Sequence, residues 1–425
     1  MLGLVVAVVV LIVAGIPVVA AMGLSAAGTL LTQNLPEYLV AQTMYGGLSN
    51  FTLLAIPLFI LAGEILHRSG GAARLVQFVT ALVGWISGGL GISVVISTML
   101  FSGLSGSVNA DAAAIGSVML PSMIEARYRR EWAGAIVAAA AGTGILIPPS
   151  ITMIVLRTVA NLSISKLFLA SLLPAALIGL SKIIVIFSRA RFITSTREET
   201  VPFSGREVLR SLWAALPALV APLIIIGGIL GGVFTATEAA SVAVIYSVIL
   251  ALAYRTLKLR DWGALLLSAG RLSGVVLGLV AVASILSYLF AYNSVDQALS
   301  DFTGGFVDNY LVFVTVTMII FWVVGALLDG VPALIILVPL FMPLAEQAGM
   351  QRLHFAIFSL AVLGISLVTP PLGTACFVVC GIARTRMNRM VVPMLPFIII
   401  MFATMLLLAY VPAFSLWLPN LVANR

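Results

Sequence analysis

Charge is what this sequence lacks. Of 425 residues only 22 are Lys or Arg and 15 are Asp or Glu, 9% in all, where a soluble chain carries roughly 25%. That shortage excludes a soluble enzyme, and with it a nucleic-acid binder, whose affinity rests on many phosphate-neutralising cations. Cysteine is as scarce: Cys376 and Cys380 are the whole complement, four apart in an apolar run. They make no disulfide framework and, without histidine neighbours, a poor metal site, so they read as small residues on one helix face. A basic leader is missing too. Met1–Leu31 is almost wholly apolar, reads as a retained membrane anchor rather than a cleaved signal, and puts the chain directly into the bilayer.

What is present is hydrocarbon, with 62% of residues hydrophobic and a mean hydropathy of +1.20. The expected fold class is an all-α polytopic membrane protein. A span needs about 20 apolar residues, and Lys and Arg collect in cytoplasmic loops, so the net charge of +7 marks orientation rather than an acidic partner. The basic loops are His67–Arg74, Arg127–Arg130, Lys182–Arg210, Arg255–Arg271 and Arg384–Arg389. Thr32–Asn50, with only Glu37, and Tyr292–Tyr310, with Asp296, Asp301 and Asp308, lie outside, as do Glu346–His354 and the C-terminus. Arg157 and Lys166 are exceptions in an external turn. Residues 1–31 are too short for two full spans and form one tilted helix or a broken pair around Gly15-Ile-Pro17.

Sidedness then exposes two unusual segments. Leu75–Glu125 enters and leaves from the cytoplasm, and Leu311–Glu346 enters and leaves from outside. Parity alone allows a helix pair or a re-entrant hairpin. The centres, Ser102-Gly-Leu-Ser-Gly-Ser-Val-Asn-Ala-Asp111 and Gly325-Ala-Leu-Leu-Asp-Gly-Val-Pro332, are polar, Gly-bearing breaks, which survive at membrane depth only inside protein or a wet cavity. Hairpin tips meeting at mid-membrane are the expectation.

The halves match. Asp111 precedes Pro121 by ten positions, as Asp329 precedes Pro339, and each unit runs on to a twin proline, Gly144-Ile-Leu-Ile-Pro-Pro149 and Ser366-Leu-Val-Thr-Pro-Pro371. The aspartate precedes its proline pair by 37 residues in one half and 41 in the other. The same elements in the same order with opposite sidedness predict an inverted repeat. Twin prolines remove donors and leave carbonyls free at mid-span. Half-helix N-termini suit an anion, whereas free carbonyls and hydroxyls suit a small hard cation such as Na⁺. Paired breaks of this kind point to a transporter's binding site. The blander reading is that Pro and Gly merely kink packed helices.

Four acidic residues border apolar segments: Glu64, Asp111, Glu238 and Asp329. Asp111 and Asp329 either cap the following helix or orient a hairpin tip in a cation pathway. Glu238 starts a helix capped by Thr235 or Thr237, and Glu64 is interfacial. Arg157 either meets a substrate carboxylate or snorkels to the outer interface. Gly103-Leu-Ser105-Gly106 also fits an intramembrane serine protease, but His67 and His354, the two histidines, lie in or beside loops and supply no base at depth. A passive channel lacks its ring of like charges.

Ala55-Ile-Pro-Leu-Phe-Ile-Leu-Ala-Gly-Glu64, Ser105-Gly-Ser107, Gly144–Ser150, Phe234-Thr-Ala-Thr-Glu-Ala-Ala240 and Leu367-Val-Thr-Pro-Pro-Leu-Gly373 together resemble the large membrane subunit of tripartite ATP-independent periplasmic (TRAP) transporters, over nearly the whole chain. The resemblance implies an elevator protein like those of the ion-transporter superfamily, with a scaffold and a mobile domain holding two re-entrant hairpins and broken helices. It divides the chain into N-terminal scaffold helices (1–74), a first repeat (75–166), connecting scaffold (167–291), a second, inverted repeat (292–389) and a C-terminal helix (390–425). It implies sodium as coupling ion, held by Ser102, Ser105, Gly144, Ile147 and Pro148 in the first repeat and Gly325, Ser366 and Thr369 in the second. Ser107, Asn109, Asp111, Asp329 and Arg157 are then the substrate and hairpin-tip candidates. No organic cofactor is implied. The implied partners are a small four-helix membrane subunit and a periplasmic substrate-binding protein, neither of them encoded in this chain, and a small organic anion. A stand-alone cation-coupled carboxylate carrier is the alternative. Three positions depart from the family pattern: Ser366 stands where Gly is common, Thr-Ala-Thr-Glu replaces Thr-Pro-Thr-Glu, and Asn109 makes the first tip more polar.

Overall fold

The computed structural model describes residues 2–193, 200–258, 260–293 and 307–423, and these are helical without a strand. Eight of the described helices are long and apolar enough to cross a bilayer. A ninth span results when Arg130–Leu146 and Ile151–Ala160, bent by 41°, count as one. Asp296 and Asp301, assigned to an external loop, lie outside the described residues.

The N-terminal anchor is the broken pair: α1 (Leu2–Val13) and α2 (Val18–Thr32) are parted at Gly15, whose φ of +87° only glycine adopts cheaply, and at Pro17. The segment expected as an external loop, Thr32–Asn50, contains a helix, α3 (Tyr38–Leu48). It escapes a charge-based reading because it holds no charged residue to mark a polar face, and none of its side chains is buried. Next come α4 (Ala55–Arg68), where Glu64 pairs with Arg68 at 3.0 Å, and α5 (Gly71–Val83). Further along are α11 (Gly205–Leu230), α12 (Ala236–Ala253) and α13 (Asp261–Tyr292). The last swallows Arg271, so the loop predicted as Arg255–Arg271 ends at Arg260. Thr235 and Glu238 close a reciprocal capping box at the start of α12, and α12 packs along α4 with the Thr237 hydroxyl donating to the Phe51 carbonyl.

Two hairpin-plus-broken-helix units form the core. The first is α6 (Gly89–Ser105), α7 (Val108–Glu125), α8 (Arg130–Ala141), α9 (Ile151–Ala160) and α10 (Ile164–Ser188). The second is α14 (Tyr310–Leu327), α15 (Gly330–Gln347), α16 (Arg352–Ser366), α17 (Thr374–Ala383) and α18 (Met387–Tyr410), followed by α19 (Ala413–Ala423). Both proline pairs contain a cis peptide bond, and α9 and α17 each end on a left-handed residue, Asn161 and Arg384.

Two contacts fix the relative direction of the units. Arg352, opening α16, donates to the carbonyl of Ala160, which closes α9, at 3.4 Å. Arg389, in the first turn of α18, lies 4.0 Å from Glu131 in the first turn of α8. The second broken helix therefore starts where the first ends and finishes where the first starts, which is an inverted repeat. The packing exchanges accordingly, α7 lying against α17 and α15 against α9. α10 packs against α6, α8, α9, α16, α18 and α19.

Small residues make this core possible. Bilayer helices pack through close backbone approach rather than a hydrophobic drive, and Ala133–Ala141 of α8, with Ala, Gly, Ile and Val only, is buried throughout. α16 is buried from His354 to Ser366. Where the broken helices cross, Gly142 and Gly364 meet, each six residues before its proline pair. A Cβ on Gly142 would lie 2.7 Å from the Gly364 carbonyl oxygen, and one on Gly364 would lie 2.5 Å from that of Gly142.

Candidate functional site

Each hairpin tip is seated on a proline break. At the first, α6 closes on Gly106, with φ +60°, and Ser107 caps α7. A Cβ on Gly103 would lie 3.3 Å from the Pro148 carbonyl oxygen, and one on Gly106 would meet Pro149 O at 3.2 Å and Ile151 N at 3.1 Å. The two tip glycines thus let the α6 backbone lie directly on the break. Because the break is midway along α8–α9, the hairpin whose base lies beside the start of α8 reaches only to mid-span, the re-entrant geometry expected.

Asp111, one turn into α7, is fully buried and turns back on α6, where the Ser102 and Ser105 hydroxyls donate to its two carboxylate oxygens. It does not cap its helix. Gly144 completes the cluster: a Cβ there would strike Asp111 Oδ2 and Ser102 Oγ. The five residues carried over for the first sodium site therefore converge, Ser102, Ser105 and Gly144 around Asp111 and the break at Ile147 and Pro148 against Gly103. The donor set is all oxygen, as a hard cation requires; the Ser105 oxygen also accepts from the Ser107 N–H at 3.3 Å.

The second tip repeats the seating without the carboxylate. A Cβ on Gly325 of α14 would strike the Ser366 hydroxyl, and one on Gly330 would lie 3.2 Å from Leu367 Cδ1. Ser366, the departure from the family's glycine, is buried and donates to the Leu363 carbonyl at 2.7 Å. Thr369 donates to the Ile365 carbonyl at 2.7 Å and accepts from the Trp322 indole at 3.1 Å. Asp329 is exposed and is itself the N-cap of α15, accepting from Gly330 N at 2.9 Å. The aspartates, matched in sequence, therefore differ in role because Asp111 comes four residues after its N-cap and Asp329 is the N-cap.

The remaining candidates separate. Asn109, on the first tip, has a buried amide oxygen with no hydrogen-bond partner. Arg157 is on the far half-helix α9 and reaches Asn50 Oδ1 at 3.5 Å. Ser150 and Thr374, at the starts of α9 and α17, carry buried hydroxyls without partners. Among the described residues Ser105 bonds to Asp111 and to Ser107 N–H, not to a histidine, and His354 is in α16 against the Ala409 carbonyl, which removes the protease chemistry.

Lys182, like Arg271, departs from the charge-based topology. Lys182, assigned to a basic loop, stands inside α10, fully buried, and its ammonium donates to the buried Thr143 hydroxyl beside Gly144. The signal was available: the apolar run continues past it through Ile183-Ile-Val-Ile-Phe187, which a helix end would not require. Two surface cavities, of about 390 Å³ at Arg129, Arg189 and Arg389 and about 190 Å³ at Ala160 and Arg352, lie at the opposite ends of the broken helices, away from the tips.

A family profile described as "Tripartite ATP-independent periplasmic transporter, DctM component" matches residues 5–414. The chain belongs to this family. Among curated relatives, the Salmonella typhimurium "Uncharacterized protein YgiK" is 37% identical over 96% of this chain and 94% of its own. The Vibrio cholerae "C4-dicarboxylate TRAP transporter large permease protein DctM" is 34% identical over 97% and 96%. The "Sialic acid TRAP transporter large permease protein SiaM" of the same organism is 35% identical over 92% of each chain. Two solved transporters share the fold. Alcanivorax borkumensis YdaH superimposes with a TM-score of 0.61 at 16% identity, covering 87% of both chains. Neisseria gonorrhoeae MtrF gives 0.59 at 13% identity, covering 92% of this chain and 84% of its own. This DctM-family chain is a multi-pass membrane transport protein, not an enzyme.

Proposed function

We propose that this chain is the large subunit of a sodium-coupled, binding-protein-dependent importer of small organic acids in the bacterial cytoplasmic membrane. The hairpin-bearing core would move as an elevator against the other helices. The observation that carries the reading is the pair of hairpin tips seated on symmetry-related helix breaks, each offering hydroxyl and carbonyl oxygens. The first site holds Na⁺ through Ser102, Ser105, Gly144, Ile147 and Pro148 beside the Asp111 carboxylate. The second uses Gly325, Ser366 and Thr369.

The anionic substrate is argued from the same breaks. α9 and α17 start with no side chain capping their N–H groups, and such helix ends attract carboxylates. The unpartnered Ser150, Thr374 and Asn109 groups supply further polar contacts, with Ser107 beside them on the tip. Relatives are named for C4-dicarboxylate, sialic acid and 2,3-diketo-L-gulonate, all organic acids. Arg157, in the last turn of α9, orients that half-helix through Asn50. A small four-helix membrane subunit fits the exposed apolar residues of α3, α11 and α13, Tyr45, Leu223 and Val275 among them, and a periplasmic binding protein delivers substrate. Coupling requires Na⁺ and substrate to raise each other's affinity by the same factor.

Sodium binding is testable on the chain alone in nanodiscs. Ligand that binds only the folded state stabilises it in proportion to ln(1 + [L]/Kd), so NaCl is expected to raise the melting temperature saturably where KCl of equal ionic strength does not. Identical curves in the two salts would overturn the sodium reading.

A further inference from the structure

Lys182 has no place in the machinery just described, yet it is the one fully buried lysine among the described residues and sits within a bilayer-spanning helix. An ammonium in such a place is costly unless paired or well bonded. The hydrogen bond found for it is to the Thr143 hydroxyl, a neutral group. Thr143 is followed directly by Gly144, whose Cα faces Asp111 Oδ2. The ammonium is thus held at Thr143 and the carboxylate lies against Gly144, neighbouring residues at the start of the first break.

The second repeat supplies the contrast. Lys182 follows its proline pair at a distance that in the second half brings Thr404, and Thr143 is matched by Ile365. The Thr404 hydroxyl is satisfied within its own helix by the Ile400 carbonyl at 2.8 Å. There the aspartate has also left the site, since Asp329 caps α15. Buried carboxylate and buried ammonium are therefore present together in one half and absent together from the other, the pattern expected if each compensates the other.

We propose that Lys182 is a positioning residue for the first cation site: held on Thr143, its charge offsets that of Asp111 and keeps sodium affinity low enough for release. The inference rests on the sodium reading above and goes beyond it. The site with Na⁺ bound would then carry a net charge of +1 from Asp111, Lys182 and the ion, and without Na⁺ it would be neutral. Removing the lysine makes the empty site anionic and the occupied one neutral, so Na⁺ should bind more tightly and leave more slowly.

The test is the sodium-dependent melting shift of the full chain in nanodiscs. Lys182→Met, of similar length and apolar, is expected to lower the half-saturating Na⁺ concentration about tenfold. Thr143→Val removes the hydroxyl that holds the ammonium away from Asp111, lets the two pair directly, and is expected to raise that concentration. A lysine that only packs would raise it or leave it unchanged in Lys182→Met and would leave it unchanged in Thr143→Val. If wild type shows no sodium response, the sodium reading fails. If wild type responds while Lys182→Met leaves the midpoint unchanged or raises it, this inference alone fails. Should Lys182→Met not fold, Thr143→Val decides, because an unchanged or lowered midpoint there contradicts the proposal.

Discussion

Gly144→Ala is expected to weaken sodium binding at the first break by tenfold or more while the chain still folds. The added Cβ falls on Asp111 Oδ2 and Ser102 Oγ, both ends of side chains that can rotate away. Rotation gives up the serine–carboxylate bonds, and hydrogen bonds to a charged group are worth about 1.5–3 kcal/mol, which corresponds to roughly 10–150-fold in affinity. The midpoint of the Na⁺-dependent melting shift reads this directly. An unchanged midpoint would mean that the Asp111 cluster is not where the ion sits.

Gly364→Ala should instead fail at folding. Its Cβ would lie 2.5 Å from the Gly142 carbonyl oxygen and 2.9 Å from Ile145 Cγ2, and the carbonyl belongs to backbone that no rotamer change can move. Overpacking a core costs about 1–3 kcal/mol when side chains yield; here the two broken helices themselves must separate, so the upper end or more is expected. Folded yield and melting temperature in nanodiscs should both fall. Gly381→Ala is the control, because nothing stands within 4 Å of its Cβ and alanine gains about 1 kcal/mol in helix propensity. If the two variants behave alike, the close crossing of Gly142 and Gly364 is wrong.

The inverted repeat was legible because proline pairs and intramembrane aspartates are rare enough in an apolar chain to be matched by eye. The convergence of Ser102, Ser105 and Gly144 followed from the family resemblance, not from spacing. What the sequence hid has a common cause: a rule that averages over positions cannot resolve helix register. Asp111 and Asp329 read alike until the start of each helix is known, and a shift of one turn makes one a buried acceptor and the other a cap. Lys182 reads as a loop marker because basic residues usually mark cytoplasmic ends, although apolar residues continue beyond it. α3 escapes the sequence reading because Thr32–Asn50 offers a single charge, Glu37, and no run of about 20 apolar residues. The helix start at Glu238, a purely local pattern, is legible in the sequence, the structure choosing Thr235 over Thr237 as its cap; of the two arrangements open for residues 1–31 it takes the pair broken at Gly15 and Pro17.

The central claim is that binding of Na⁺ at the broken helices drives organic-acid import. It is tested most directly by uptake into proteoliposomes containing this chain, its small membrane subunit and the binding protein loaded with its radiolabelled acid. Accumulation is expected only with an inward Na⁺ gradient, and should vanish when K⁺ replaces Na⁺ or the binding protein is omitted. Accumulation that persists without a Na⁺ gradient and follows ATP or a proton gradient instead would contradict the account.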